Sequence, residues 1–400
     1  MGVYGLKNVS STMHGRFKSV GAVTAVAQRA RRSSVAHHSI GPRPRALFMF
    51  VPPRTPHTGG EAYNRQMLQA LRQAGYGVWA LPEPGKGLAG VRHTLFRNVM
   101  RLPAVVQAVL SGKRVVVVTH LASPSNIVLH FALCRALPRC RIVTMVHHLE
   151  SDEPGPTRRR ARLRLFERAV LMLSDKIIVN SPATARHIAV LGVVGRPVAV
   201  VPPGFDVADV SDAGRSWRSP DVRRLLTVGK LTPRKANDQL LLALSLLPDS
   251  FVLDLAGVAN EPDYARYLHT LVENHGLMTR VSFHGYMTPR MLADLRASAD
   301  VYVSASVWEG FGMAVAEAMA VGLPVVAVDN EPVRALVTGE GSGIIVPPGD
   351  PTALAAAIQR VVSDPTYRER AEARAATVRT TYSWGTMRRS FTASVVGLWD

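Results

Sequence analysis

Trp308–Ala327 reads WEGFGMAVAEAMAVGLPVVA, and it follows an apolar run, Val301–Val303, that exits through Ser304-Ala305-Ser306. A strand therefore ends, a glycine-flanked turn follows, a helix opens near Gly312, and Gly322-Leu323-Pro324 returns the chain to a second apolar run. Backbone N–H groups at such a helix start receive hydroxyl or phosphate oxygens, helped by the helix dipole. Glu309 falls in the turn, where its carboxylate can accept hydrogen bonds from sugar hydroxyls. Glu317 falls inside the helix among Ala and Met, an awkward place for a carboxylate with no donor beside it. A vicinal diol, as on a ribose, would satisfy it.

Outward from this stretch the same rhythm repeats. Apolar runs at Leu225–Val228, Val252–Leu255, Val281–Phe283, Val301–Val303, Val325–Val328 and Gly343–Val346 alternate with helical patterns over 236–247, 262–276, 289–298, 312–321 and 351–363. An earlier series runs through Ala46–Val51, Val78–Leu81, Val115–Thr119, Ile142–Val146, Ile177–Val179 and Val198–Val201. Short apolar strands alternating with helices imply parallel sheets covered on both faces. Between the series lies FDVADVSDAGRSWRSPDV, residues 205–222, whose Asp, Ser, Gly and Pro mark a linker. The expected fold is α/β, two Rossmann-like domains facing across a cleft, with ligands beyond the carboxyl ends of the strands. Its expected parts are a basic tail or targeting segment over 1–44 and an acceptor-side domain over 45–204. The linker over 205–222 leads to a donor domain over 223–382, and a last helix over 383–400 packs back on the first domain.

The spacing Glu309–x7–Glu317, with Gly310-Phe311-Gly312 between, resembles the signature of the retaining glycosyltransferases of family 4, which have the GT-B fold. The resemblance implies that Glu309 engages the transferred sugar and Glu317 the ribose of a nucleoside diphosphate sugar, with Met313 also at the donor. LTVGKLTPRKA, residues 226–236, is similar to the family's second motif, in which Lys230 and Lys235 grip the donor diphosphate and no metal or other cofactor is needed. The family commonly has Arg at the first of these positions and Gly in place of Ala236. Lys binds phosphate as a point charge where Arg can be bidentate. Gly59-Gly60 resembles the glycine loop of the first domain; read alone, the pair is a turn. His147, in VTMVHHLE at the end of a buried strand, matches a histidine that contacts the sugar, whereas His148 reads as a hydrogen-bonded loop histidine. IIVNS and VPPGFD resemble the stretches that close the first domain, with Pro203 where Asn is frequent. In VRALV, Ala335 stands where an acidic residue is common.

Composition narrows the setting. Hydrophobic residues make up 47%, enough for a sizeable core, and no apolar run is long enough to span a bilayer. Two cysteines, Cys134 and Cys140, make neither a disulfide framework nor a metal cluster, so the expected compartment is the reducing cytoplasm. The acid-free start leaves organelle targeting open. The net charge of +19 sits in the first half: residues 206–400 carry nineteen basic against twenty-two acidic residues, while residues 1–60 carry nine basic and no acidic ones. Such asymmetry points to an anionic partner, nucleic acid or membrane, or to a solvated arginine-rich surface. RRRARLRLFER, residues 158–168, either lies on an anionic membrane or docks one face in the core; the apolar AVLMLSDKIIV that follows favours docking. A nicotinamide dehydrogenase is disfavoured for want of G-x-G-x-x-G, a P-loop kinase for want of GK[ST]. A nucleic-acid-binding module shows no helix-turn-helix, zinc spacing or aromatic RNA-binding signature. A phosphate-dependent glycosyl-exchange enzyme of similar architecture remains as an alternative, and the acceptor is left unassigned.

Overall fold

The computed structural model describes residues 46–51, 59–76, 78–82, 115–120, 137, 139–153, 156–205, 221–338 and 342–398. The expected tail over 1–44 and most of the expected linker, residues 206–220, lie outside them.

The first half is one parallel sheet in the order β2-β1-β3-β4-β5-β6. Its elements are β1 (Ala46–Val51), α1 (Gly59–Gln73), β2 (Val78–Pro82), β3 (Val115–His120), β4 (Cys140–Val146), α2 (Thr157–Leu173), β5 (Lys176–Val179), α3 (Pro182–Val190) and β6 (Val198–Val200). β4 is buried at every position but one, as a strand covered on both faces must be. α3 starts where Ser181 accepts a hydrogen bond from Thr184 N at 3.1 Å, with Pro182 setting the first turn. Gly59 and Gly60, expected in a loop, instead form the first turn of α1. Glycine suits the close approach to a neighbour as well in that turn as in a loop.

The second half repeats the plan with the order β12-β11-β10-β7-β8-β9. It comprises β7 (Arg223–Val228), α4 (Asn237–Ser245), β8 (Phe251–Ala256), α5 (Pro262–Asn274), β9 (Val281–Gly285), α6 (Pro289–Ser298), β10 (Val301–Ser304) and α7 (Met313–Ala320), then β11 (Val325–Val328), α8 (Glu331–Val337), β12 (Gly343–Val346), α9 (Pro351–Ser363) and α10 (Pro365–Thr381). Thr288, Asn330, Asp350 and Asp364 cap four of these helices through side-chain oxygens, each with Pro just inside.

The last helix, α11 (Trp384–Val396), belongs to the first half. Met387, Phe391 and Val395 join Tyr63, Met67 and Leu71 of α1 in one buried cluster. Burying three such side chains stabilises by roughly 5–9 kcal/mol as an upper estimate. Lys176 Nζ donates to Ser394 O at 2.7 Å and Arg388 to Gln66 Oε1 at 2.5 Å. The chain crosses between the halves at Phe205 and again at Ser383, and the crossings run side by side: Phe205 N donates to Tyr382 O at 2.9 Å.

Candidate active site

A cavity of about 640 Å³ opens between the two halves, at the carboxyl ends of β4, β7 and β10. Every residue expected at the donor or the transferred sugar lines it: Gly59, Gly60, His147, Lys230, Lys235, Glu309, Gly310, Phe311, Gly312, Met313 and Glu317. So does Pro203.

Glu309 is the centre of the charge arrangement. Lys235 Nζ donates to its Oε1 at 2.5 Å, and Arg234 Nη1 stands 3.8 Å from Oε2. Burial raises the Glu309 carboxyl, but the Lys235 and Arg234 charges, with hydrogen bonds from Lys235 and Ser306, pull harder and leave it below its ordinary value. Lys235 reaches it from a short 3-10 turn, Pro233–Lys235, that ends at Ala236 with φ 46°. Ala236 is the one non-glycine residue with positive φ among the described residues. The family's preference for Gly at this position thus has a backbone cause, and Ala bears a strain of about 1–2 kcal/mol.

Glu317 lies on α7, and its surroundings correct the sequence reading. It is not without a donor: Arg296 of α6, itself only 6% exposed, bonds Oε2. Oε1 has no bonding partner among the described residues. α7 opens at Gly312 in the left-handed region, φ 93°, and no side chain caps it. Its first N–H groups, on Met313, Ala314 and Val315, therefore have no intrahelical partner, and all three residues line the cavity.

The first half closes the other wall. His147 Nε2 bonds Asn64 Oδ1 at 3.2 Å and meets the Tyr63 ring edge-on. Gly310 packs so closely on His147 O that a Cβ there would overlap it. Ser181 and Thr184 donate to Gly310 O at 2.8 and 3.4 Å, which ties the Glu309 turn to the first half. Glu331 at the start of α8 adds an ion pair to Arg186, and its other oxygen stands 3.4 Å from His187 Nε2.

Among the lining residues, Asn64, Arg234 and His148 escaped the sequence reading in part or whole. Asn64 stands four residues after a glycine pair that was noticed, and nothing local marks it. Arg234 shares a tripeptide with Lys235, which was its only signal. His148, set aside as a loop histidine, also lines the cavity. It stacks edge-on against Trp308 with centroids 4.8 Å apart, and Arg234 lies over the same indole at 5.7 Å. Burial pushes the His148 imidazole down to about 4, the Arg234 charge adds to this, and Glu309 opposes it.

Residues 215–378 match the family described as glycosyl transferases group 1, and residues 57–209 match glycosyltransferase family 4. The chain belongs to the family 4 glycosyltransferases of group 1. The chain carries both strong motifs within the first of these matches. It is 32% identical over 264 residues to a D-inositol 3-phosphate glycosyltransferase of Kineococcus radiotolerans, a span of 59% of each chain. An uncharacterized glycosyltransferase of Methanocaldococcus jannaschii is 35% identical over 149 residues, 37% of this chain and 38% of that one. The chain thus covers less than two thirds of the length of these curated relatives. Among solved structures, sucrose-phosphate synthase from Thermosynechococcus elongatus superposes with TM-score 0.76 at 22% identity, over 89% of this chain and 99% of that one. Anabaena HepE, in complex with UDP and glucose, does so with TM-score 0.67 at 19% identity, over 88% and 100%. The fold is GT-B.

Proposed function

We propose that this protein transfers a glycosyl group from a nucleoside diphosphate sugar to an acceptor hydroxyl, with retention of anomeric configuration and without a metal ion. The observation that carries the reading is the single cavity in which one half contributes Lys230, Lys235, Glu309, Glu317 and an uncapped helix start, and the other His147. Each fits a part of such a donor. Glu317 Oε1 accepts from the ribose diol, while Arg296 on Oε2 holds the carboxylate aimed. The N–H groups of Met313 and its neighbours, with Lys230 and Lys235, face the diphosphate and neutralise the charge that builds as the glycosidic bond breaks. An ammonium carries three donors, so Lys235 can hold a phosphate oxygen without releasing Glu309. The other Glu309 oxygen and His147 then take hydroxyls of the transferred sugar; Gly60 lets the donor approach the first half without a side chain in the way, and Gly59 leaves room for the Met313 side chain at the donor.

No Asp-x-Asp follows a strand in the sequence, which is the reason for expecting that no divalent ion is held against the diphosphate. The UDP of Anabaena HepE makes UDP-sugars the first donors to try, and the activity named for the Kineococcus relative makes D-inositol 3-phosphate the first acceptor. The deciving experiment screens UDP-, GDP- and ADP-sugars by thermal shift, then follows the product by proton NMR with and without EDTA. A donor at a hundred times its dissociation constant adds about 2.7 kcal/mol of stability, readily seen as a shift. No shift with any nucleotide sugar overturns the donor class. An anomer opposite to the donor's overturns retention, and activity lost to EDTA and restored by manganese overturns metal independence.

A further inference from the structure

α2 holds the arginine-rich stretch, and its two halves differ in burial along its length. Its carboxyl-terminal half docks: Glu167, Val170 and Leu171 are buried, and Val170 and Leu171 join the core of the first half. Its amino-terminal half stands outward. Arg158, Arg159, Arg160, Arg162, Arg164 and Arg168 are all exposed, and Leu165 among them is 71% exposed. Arg162 and Arg168 lie three residues either side of Leu165 and Arg158 two turns before it, so one face presents an apolar tip between guanidinium groups. Glu167, the helix's one acidic residue, points inward and accepts from Glu150 N at 2.7 Å and Ser151 N at 3.3 Å. The outer face therefore carries positive charge alone. Among the described residues no carboxylate pairs with Arg158, Arg162, Arg164 or Arg168.

The patch continues beyond the helix. The Arg168 guanidinium lies against Gly192, in the turn after α3, within about 3.6 Å of where a Cβ would stand. Either side of that turn Val190 and Val194 are 78% and 71% exposed, and Arg196 follows, half-buried. Three large apolar side chains held out into water amid unpaired arginines suit a partner with an anionic surface over an apolar interior.

We propose that this face rests on a bilayer containing anionic phospholipid, with the arginines at the phosphate level and Leu165, Val190 and Val194 dipping below it. Nucleic acid offers the charge but no apolar layer for the three side chains. The proposal does not depend on which sugar is transferred. α2 is the first α-helix of the chain after His147 and His148, so this face belongs to the half that brings those histidines to the cavity.

The test is flotation of the full chain with vesicles of phosphatidylcholine alone or mixed with phosphatidylglycerol. The wild type should float with the mixed vesicles and not with the neutral ones. Each arginine near an anionic surface contributes about 1 kcal/mol, or roughly fivefold, so Arg158→Ser/Arg162→Ser/Arg168→Ser should partition about a hundredfold more weakly. Every variant keeps the basic residues of positions 1–60, so the difference belongs to this face. Leu165→Ser/Val190→Ser/Val194→Ser should still bind at low salt but release at a salt concentration the wild type withstands, and it keeps the proposal open to refutation if the arginine variant does not fold. Equal binding of the wild type to both vesicles, or flotation of both folded variants like the wild type, overturns it. So does a wild type that ignores vesicles but shifts DNA or RNA in a gel through the same arginines.

Discussion

Lys235→Met takes the ammonium from Glu309 and leaves its carboxylate in place, with Arg234 the nearest remaining cation. The pair is close, 2.5 Å, and both side chains are well withdrawn from water at 17% and 13% exposure. At an effective dielectric of about 20 the gross attraction is roughly 6–7 kcal/mol, most of it offset by the desolvation of both charges. Breaking a buried pair by removing one partner typically costs 3–5 kcal/mol. Arg234, 3.8 Å from the other oxygen, remains and holds the expected loss near about 3 kcal/mol. Adding Glu309→Gln should return about 2 kcal/mol, because the orphaned charge is what costs most. The pH dependence supplies a second signature. Glu309 has a folded value below its ordinary 4.5, so its stabilisation is complete above that pH and fades as pH falls through the folded value. The stability gap between wild type and Lys235→Met should therefore be widest at neutral pH and narrow on acidification. Denaturant unfolding of the single and double variants at neutral and acid pH measures this, and initial rates with the identified donor measure the other half. Loss of one preorganised donor to the leaving group should lower turnover about a hundred- to a thousandfold. A Lys235→Met protein as stable as wild type at neutral pH, with strictly additive energies in the double variant and near-normal turnover, refutes both the pairing argument and the assigned role.

Glu317→Gln should weaken nucleotide binding by about 1.5–3 kcal/mol, roughly ten- to a hundredfold, and also lower the melting temperature because Arg296 loses its carboxylate; unchanged affinity by calorimetry removes the ribose assignment. Ala236→Val should destabilise by about 1–3 kcal/mol, since a β-branched side chain cannot tolerate φ 46°, while Ala236→Gly stays near neutral; a stable valine variant in thermal melts contradicts the strained turn. His148 has a folded value of about 4 against an ordinary 6.5, so its contribution is complete above pH 6.5 and lost as pH falls towards 4, where the unfolded chain takes the proton first. His148→Asn should flatten stability over that window, and an unaltered slope in pH-dependent melts counts against the burial of its imidazole.

The strands and most helices were legible because their signals are local: apolar runs of β-branched residues, and Pro or Gly at the ends. β11 and β12 fall on the runs read from sequence, and α6 and α9 span the expected residues. The motif stretches were legible for the same reason, each opening just after a strand. What sequence hid was pairing across elements. Glu317 looked orphaned because Arg296 is on another helix, 21 residues earlier. The bond from Ser181 to Gly310 O spans 129 residues and two sheets, and no pattern along the chain announces it. Arg234 and His148 come together at the Trp308 ring. Gly in place of Ala236 was noticed as a family habit; only the backbone angle turned it into a physical requirement.

The return of α11 to the first half means that this half is not a contiguous piece of the gene, while the second half is. A fragment ending near Thr381 would carry a whole second sheet but strip the first of a wall, exposing Tyr63, Met67 and Leu71 to water. A premature stop just before the last helix would thus unfold the part of the protein synthesised first, not the part synthesised last. On the ribosome the first half must wait for the second to be made before its core is complete. Anyone wishing to express it alone has to splice Ser383–Leu398 onto it, and the adjacent crossings at Phe205 and Ser383 show where a short joining loop would reach.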